Sequence, residues 1–350
     1  MGESELIFVG PLGREKHCME GPSVRNAFFL KELENHFRFI DVYDTWDWKS
    51  APLMLVRLSC QILFSKRKKF IISVSGKSAY HLIGLFSKFG RRHLVFYFAV
   101  GGSFYKKIKD GKFEKERYGC LKSIVVQGNS IKKELEEMGL KQVYYCPNFK
   151  NIKHIPPLKN EKNSVCRFVF CSRILPEKGC DLIFSAVAML NQMGNKQFVV
   201  DFFGPIKETY KTTFQKKIEE YENVTYKGVL DFSNPANYDL LSLYDVMLFP
   251  TYWEGEGFPG IVVDACVAGL PIIASDWSMN REVVEDGMTG WIIPSKDVEA
   301  LANVMLKVVD DSYDLLSMSQ NCQRKASKFS SENVLSTSFL QKIGLLERLS

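Results

Sequence analysis

Two carboxylates, Glu256 and Asp264, straddle the change from a glycine-rich loop to an apolar stretch in Leu248-Phe-Pro-Thr-Tyr-Trp-Glu-Gly-Glu-Gly-Phe-Pro-Gly-Ile-Val-Val-Asp-Ala-Cys-Val-Ala-Gly-Leu-Pro-Ile-Ile-Ala-Ser275. The pattern predicts a strand ending at Pro250, a helix from about Ile261 to Ala268, a stop at Gly269 and a new strand opened by Pro271. Such a helix aims free N–H groups and a positive dipole end at the ligand edge of a sheet, where a diphosphate is the natural anion. Glycines 255, 257 and 260 let the backbone come close to a ligand. Carboxylates do not suit a diphosphate, but Glu254, Glu256 and Asp264 would accept strongly from the hydroxyls of a sugar and a ribose. Acidic residues at a helix start also simply complement its dipole, and the residues alone leave both readings open.

A second group of candidates lies in Cys171-Ser172-Arg173-Ile174-Leu175-Pro176-Glu177-Lys178-Gly179. A strand ending in Ser-Arg, then a proline turn, then Lys-Gly at a helix start places two cations at the ligand edge. There Arg173 and Lys178 could neutralise a diphosphate leaving group as charge develops on it. A solvated loop with incidental basic residues fits the same letters.

The elements that must hold these groups alternate along the whole chain. Strands are expected at Leu6–Gly10, Phe70–Val74, Leu94–Val100, Ser123–Gln127, Arg167–Ser172, Phe198–Gly204, Val246–Pro250, Pro271–Ala274 and Trp291–Pro294, with segments of helical length between them. The alternation predicts an α/β fold of parallel sheets covered by helices on both faces, with ligands beyond the carboxyl ends of the strands. Prolines 147, 156 and 157 and the polar run Lys159-Asn160-Glu161-Lys162-Asn163 mark a boundary. The expected domains are 1–150 and 165–330, followed by a helix over 331–350 with an apolar stripe at Val334, Phe339, Ile343 and Leu346.

A length of 350 residues suits two such domains, and 46% apolar with 25% charged residues is ordinary for a globular cytoplasmic protein. The longest apolar run, Ala51 to Phe64, is too short to cross a bilayer and contains Arg57. Met1 to Gly10 has no leader pattern, so the mature protein is expected to begin there. Nine scattered cysteines without a Cys-x-x-Cys pair, and five histidines without metal-like spacing, point to reduced thiols and no metal. Residues 1–150 hold 26 Lys and Arg against 15 Asp and Glu, whereas the remainder holds 20 against 25. No acid stands between Asp47 and Asp110, a window containing thirteen basic residues from Lys49 to Lys109. Such a block favours an anionic partner.

The first stretch closely resembles the signature of retaining GT-B glycosyltransferases of family 4, the glycosyl transferases group 1, including those of bacterial capsule and exopolysaccharide assembly. Their pattern of Glu, seven residues, Glu-Ala and a Gly-Pro turn is filled by Glu256, Asp264-Ala265 and Gly269-Leu270-Pro271, with Asp for Glu as a departure. Their Ser-Arg and Lys-Gly are matched at Ser172-Arg173 and Lys178-Gly179.

The resemblance implies two Rossmann-like domains facing across a cleft, with the last helix returning to the N-terminal domain. It implies catalytic roles for Glu256, Arg173 and Lys178. Glu256 with Gly257, Phe258, Pro259, Gly260 and Ile261 would hold the donor sugar, Arg173 and Lys178 its diphosphate, and Asp264 its ribose. Gly204, Val229 and Leu230 would line the base pocket; Asn280, Glu282 and Gly290 match a further family segment of no assigned role. In the N-terminal domain Gly21, Gly101 and Gly102 are the cleft candidates, and no histidine stands in Tyr97-Phe98-Ala99-Val100-Gly101-Gly102 where many relatives carry one.

The expected function is metal-independent, retaining transfer of a hexose or hexosamine from a UDP- or GDP-sugar to a glycan hydroxyl, with no cofactor. A lipid-diphosphate-linked acceptor and contact with an anionic membrane from the cytoplasmic side would explain the basic half. The alternative is a non-catalytic sugar-nucleotide-binding or scaffold protein of the same fold. A nucleic-acid binder would want interleaved aromatic and glycine signatures that are absent. Ser75-Gly76-Lys77-Ser78 resembles the end of a P-loop, but Ile71 occupies the place of its first glycine. His81 on the same helix is expected to be a packing or cleft residue rather than a ligand.

Overall fold

A computed structural model describes residues 5–13, 21–46, 48, 51–159, 163–194 and 197–347. Residues 1–4, Lys49, linker residues 160–162 and the last three residues, all used in the sequence reading, lie outside the described ones. The chain divides into two compact units, Met1–Asn151 with Phe329–Ser350, and Ile152–Lys328.

In the first unit six parallel strands, β1 (Leu6–Gly10), β2 (Ile40–Asp44), β3 (Lys69–Ile72), β4 (Leu94–Phe98), β5 (Ser123–Val126) and β6 (Val143–Tyr145), lie in the order β2-β1-β3-β4-β5-β6. Helices α1 (Gly21–Leu33), α2 (Pro52–Phe64), α3 (Gly76–Phe89), α4 (Phe104–Lys109) and α5 (Asn129–Glu137) connect them. β1, Leu-Ile-Phe-Val-Gly, is buried throughout, as a strand covered on both faces must be. The chain leaves β1 for β2 on one side and returns to β3 on the other. At that reversal Asn26 of α1 donates to the carbonyls of Pro11 and Ser73 and accepts from the Ser73 hydroxyl at 2.6 Å.

The second unit repeats the plan with β7 (Cys166–Cys171), β8 (Phe198–Phe203), β9 (Val224–Tyr226), β10 (Val246–Phe249), β11 (Ile272–Ser275) and β12 (Gly290–Ile293), ordered β12-β11-β10-β7-β8-β9. Its helices are α6 (Cys180–Gln192), α7 (Lys211–Glu219), α8 (Ala236–Ser242), α9 (Gly260–Val267), α10 (Asn280–Val283), α11 (Val298–Val309) and α12 (Leu315–Ala326). Phe168, Phe170, Phe184, Phe202 and Phe214 fill its core, with α11 packed on α6. Here the reversal falls between β7 and β10, where an open α/β sheet leaves a crevice at the carboxyl ends of its strands.

Beyond α12 the chain rejoins the first unit as two short helices, α13 (Ser331–Val334) and α14 (Thr337–Lys342), rather than the single helix expected over 331–350. Two serine caps account for the break: the Ser330 side chain accepts from Asn333 N–H and that of Ser336 from Phe339 N–H. Gly344, with φ of 80°, ends the second helix. Val334, Leu340 and Ile343 enter the core of Leu6, Phe29 and Phe149, and the Ser331 hydroxyl donates to Glu32 at 2.8 Å.

Gly204, at the carboxyl end of β8, has φ of 138°, and a Cβ there would stand 1.8 Å from the Ser172 carbonyl oxygen. Gly228 has φ of 89° but no heavy atom within 4 Å of its Cβ position. Gly204→Ala is therefore expected to destabilise the second unit by about 3 kcal/mol or more, through strain and collision together, and Gly228→Ala by about 1 kcal/mol through strain alone. Urea unfolding of the two variants checks the ranking, which equal midpoints would refute.

Candidate functional site

The turn after β7 and the turn after β10 meet at the reversal of the second sheet. Gly179, with φ of 88°, permits the contact, since a Cβ there would lie 2.4 Å from the Pro250 carbonyl oxygen. A hydrogen bond ties the turns together: Tyr252 N–H donates to Glu177 O at 2.9 Å. The chain between Pro176 and Glu256 is thus folded so that residues far apart in sequence share one spot.

That spot holds an ion pair. Lys178 Nζ donates to Glu256 Oε2 at 2.5 Å, and the Thr251 hydroxyl donates to the same oxygen at 2.9 Å. Both charged residues are buried, at 4% and 8% exposure. Burial lowers the Lys178 pKa below the ordinary lysine value, and the Glu256 carboxylate restores only part of the loss. The ammonium lies 4.8 Å above the centre of the Trp253 ring, and the Arg173 guanidinium 4.4 Å from it. One indole therefore serves two cations, the buried Lys178 and the exposed Arg173, which its π face attracts.

Trp253 is itself fixed. Its carbonyl accepts from Trp277 Nε1 at 2.8 Å and from Glu256 N–H at 3.0 Å. A Cβ on Gly255 would come within 2.6 Å of the ring, so this glycine clears space for the indole. The Glu256 carbonyl accepts from the Ser278 hydroxyl at 2.8 Å, and the Ser275 hydroxyl holds the Thr251 carbonyl. Neither Trp253 nor Thr251 follows from the charge pattern of the sequence. The one signal the sequence offers is an aromatic pair, Tyr252-Trp253, directly before a loop of carboxylates and glycines.

Gly257, Phe258 and Pro259 lead from Glu256 into α9, which starts at Gly260 with Pro259 extended before it. Phe258 and Pro259 are buried, while Gly257, Gly260 and Ile261 are half-buried. The first-turn N–H groups of this helix point along its axis toward the edge that carries the ion pair. Asp264, one turn further, is 2% exposed and accepts the Tyr238 hydroxyl of α8 at 2.7 Å. Burial first, and then the Asp264 carboxylate, hold the Tyr238 pKa well above its ordinary value. Arg173, Lys178 and Glu256 thus gather around Trp253, whereas Asp264 accepts from Tyr238 on α8. Glu254 is exposed.

The remaining candidates occupy carboxyl edges. Gly204 N–H donates to Gly228 O at 2.8 Å, beside exposed Val229 and half-buried Leu230. Gly21 opens α1, and Gly101 with Gly102 follows β4, all in the first unit. Gly76 is a packing glycine, its Cβ position 3.0 Å from Phe104 Cβ, and His81 is exposed beside Tyr80. A cavity of about 500 Å³ lies at the amino end of β10, lined by residues including Lys159, Tyr244, Asp245 and Gly269; none of the groups around Trp253 lines it.

Chemically, the arrangement offers two cations and a helix start to an anion, with a fixed carboxylate next to them for hydroxyl donors. Several curated proteins match this chain in sequence, and it spans about half the length or less of most of them. It is 28% identical over 163 residues to the UDP-Gal:alpha-D-GlcNAc-diphosphoundecaprenol alpha-1,3-galactosyltransferase of Escherichia coli, covering 45% of this chain and 40% of that one. It is 23% identical over 334 residues to the capsular polysaccharide biosynthesis glycosyltransferase CapM of Staphylococcus aureus, covering 87% and 84%. Among solved structures, Anabaena HepE in complex with UDP is similar with a TM-score of 0.72 at 13% identity, over 98% of this chain and 100% of that one, a likeness of the GT-B fold. The family model described as glycosyl transferases group 1 matches residues 150–329, a span that takes in Arg173, Lys178, Glu256 and the rest of the second unit, and to that family this chain belongs.

Proposed function

We propose that this protein is a retaining, metal-independent and cofactor-free hexosyltransferase. It moves a hexose or hexosamine from a UDP- or GDP-sugar to a hydroxyl of a lipid-diphosphate-linked glycan during cell-surface polysaccharide synthesis, at the cytoplasmic face of an anionic membrane. The observation that carries this reading is the buried Lys178–Glu256 pair with Arg173 on the same indole, at the start of α9. The names of two similar proteins support it: the Escherichia coli relative takes UDP-galactose and a diphosphoundecaprenol-linked sugar, and HepE was solved with UDP.

In this reaction the bond from the anomeric carbon to the diphosphate oxygen breaks while the acceptor oxygen bonds to the same face of the sugar. The acceptor proton passes to the departing diphosphate oxygen, so no side chain need act as base. Arg173 and Lys178 stabilise the charge that grows on the diphosphate. Lys178 spends one of its three N–H bonds on Glu256, leaving two for phosphate. Glu256 accepts from the sugar hydroxyls, with N–H groups of Gly257, Phe258, Gly260 and Ile261 alongside. Asp264 takes the ribose once the Tyr238 hydroxyl yields its place, and the Gly204, Val229 and Leu230 backbone borders the base. The second unit is accordingly the donor domain and the first the acceptor domain, with Gly21, Gly101 and Gly102 on its ligand edge.

Transfer from a panel of nucleotide sugars tests the reading, with EDTA expected to change the rate by no more than about twofold. Glu256→Gln keeps shape and removes charge, and is expected to lower kcat roughly a hundredfold in the fraction that stays folded, along with a lower melting temperature because Lys178 loses its counter-charge. Donor binding without turnover in the wild type would replace the proposal with a non-catalytic sugar-nucleotide-binding protein.

The depressed Lys178 pKa gives a sign to the alkaline limb. As pH rises Lys178 loses its proton earlier than an ordinary lysine, so kcat/KM should fall at correspondingly lower pH. Lys178→Arg stays charged and should move that limb upward; a limb unmoved in the variant assigns it to another group. Asp264→Asn should raise the donor KM about tenfold with little change in kcat if the residue holds ribose. A variant that is only less stable, with KM unchanged, would confine Asp264 to its bond with Tyr238.

A further inference from the structure

Helix α2 is apolar around its circumference. Leu58 and Ile62 face inward and are buried, yet Leu53 and Phe64 are 82% and 81% exposed, and Val56 and Leu63 are exposed between them. Positions 53, 56, 63 and 64 fall along one side of a helix, so these form a stripe rather than scattered points. A helix apolar on all sides is ordinarily enclosed by protein, and among the described residues this one keeps a whole face uncovered. Helix α3 packs beside it and adds exposed Phe89 near its end. The two helix ends are joined where Arg92 donates to the Ile62 carbonyl at 2.8 Å and the Ser65 carbonyl at 2.9 Å.

Exposed cations accompany this face: Arg57 within α2, Lys66 and Arg67 just after it, Lys88 in α3 and Arg91 beyond it. The sequence from 48 to 109 has no acid to offset them. We propose that the outer face of α2, with the end of α3, rests on a bilayer containing anionic lipid, its apolar side chains in the interface and its cations among the headgroups. The proposal rests on the membrane side of the function given above and names the surface that carries it. At 13 residues α2 is about 20 Å long, which suits a helix lying in the interface and not one crossing it. A second copy of the chain is a poorer occupant. A two-fold interface brings a patch against itself and would set these cations against their own copies, whereas an anionic leaflet neutralises them.

Flotation of the full chain with vesicles of phosphatidylcholine alone, or of phosphatidylcholine and phosphatidylglycerol in equal parts, tests the proposal. Binding is expected on the anionic vesicles, weakening as salt rises. Leu53→Ser combined with Phe64→Ser should weaken it at least about tenfold, from the lost apolar burial. Lys66→Gln, Arg67→Gln and Arg91→Gln together should abolish the preference for anionic lipid. All these side chains are exposed, so melting temperature and transfer to a water-soluble acceptor should stay at wild-type levels. A wild type that remains in solution with anionic vesicles overturns the proposal, as does a serine variant that floats like wild type. A dimer in solution that the serine pair dissolves would give the face to a second copy and overturn it too. Transfer to a soluble acceptor without vesicle binding defeats this inference alone; vesicle binding through α2 without transfer to any acceptor defeats the enzymatic reading and leaves the surface standing.

Discussion

A lysine and a glutamate held 2.5 Å apart and almost out of reach of water set the terms for the rest of the second unit. Replacing such a pair by well-packed apolar side chains is commonly neutral or favourable, so stability does not explain its presence. Leaving either partner alone would cost about 3–5 kcal/mol, so the surroundings must keep both in register. They do so through small exclusions: Gly179 lets the turn after β7 touch Pro250, Gly255 makes room for Trp253, and the Thr251 hydroxyl fixes the same carboxylate oxygen that Lys178 uses. The indole then receives Arg173 as a second cation.

Sheet topology explains why these groups can meet. A chain that runs from β7 outward to β9 and then returns to place β10 on the other side of β7 opens a gap between the turns that leave β7 and β10. Lys178 and Glu256 are 78 residues apart in sequence and come from those two turns. The first unit has the same reversal between β1 and β3, but Asn26 and Ser73 occupy it with neutral hydrogen bonds. Two sheets of one plan therefore differ in what their reversal points hold: buried charge in one, a neutral amide and hydroxyl in the other.

Legibility in the sequence followed burial and charge. Central strands such as β1, β7 and β10 read as unbroken apolar runs because both faces are covered. The edge strands β2, with two aspartates in Ile-Asp-Val-Tyr-Asp, and β6, only three residues long, carry no such run and did not stand out. The final helix appeared continuous because its apolar spacing was, while the serine caps that divide it act through hydrogen bonds that spacing does not record. Arg173, Lys178 and Glu256 were visible as charges in loops at strand ends. Trp253, Thr251 and Tyr238 were not, since an aromatic or a hydroxyl in a loop is uninformative until the charge it serves is known. The family resemblance makes Gly204 a border of a ligand pocket, and its Cβ position shows a collision with Ser172 that demands glycine whatever binds there.

The two halves of the chain carry opposite net charge, yet net charge is not the quantity that distinguishes their chemistry. In the second unit Lys178 is buried against Glu256 in a place of low dielectric, where displacement by a fraction of an ångström changes its interaction energy greatly. Arg57, Lys66, Arg67, Lys88 and Arg91 of the first unit stand in water, where salt screens each one and only their sum over a surface matters. A buried cation such as Lys178 thus has geometric specificity, whereas these exposed cations have reach but little aim. Burial decides which kind of recognition a lysine can perform, and the apolar side chains of α2 mark where, on the first unit, exposed charge acts together with exposed hydrocarbon.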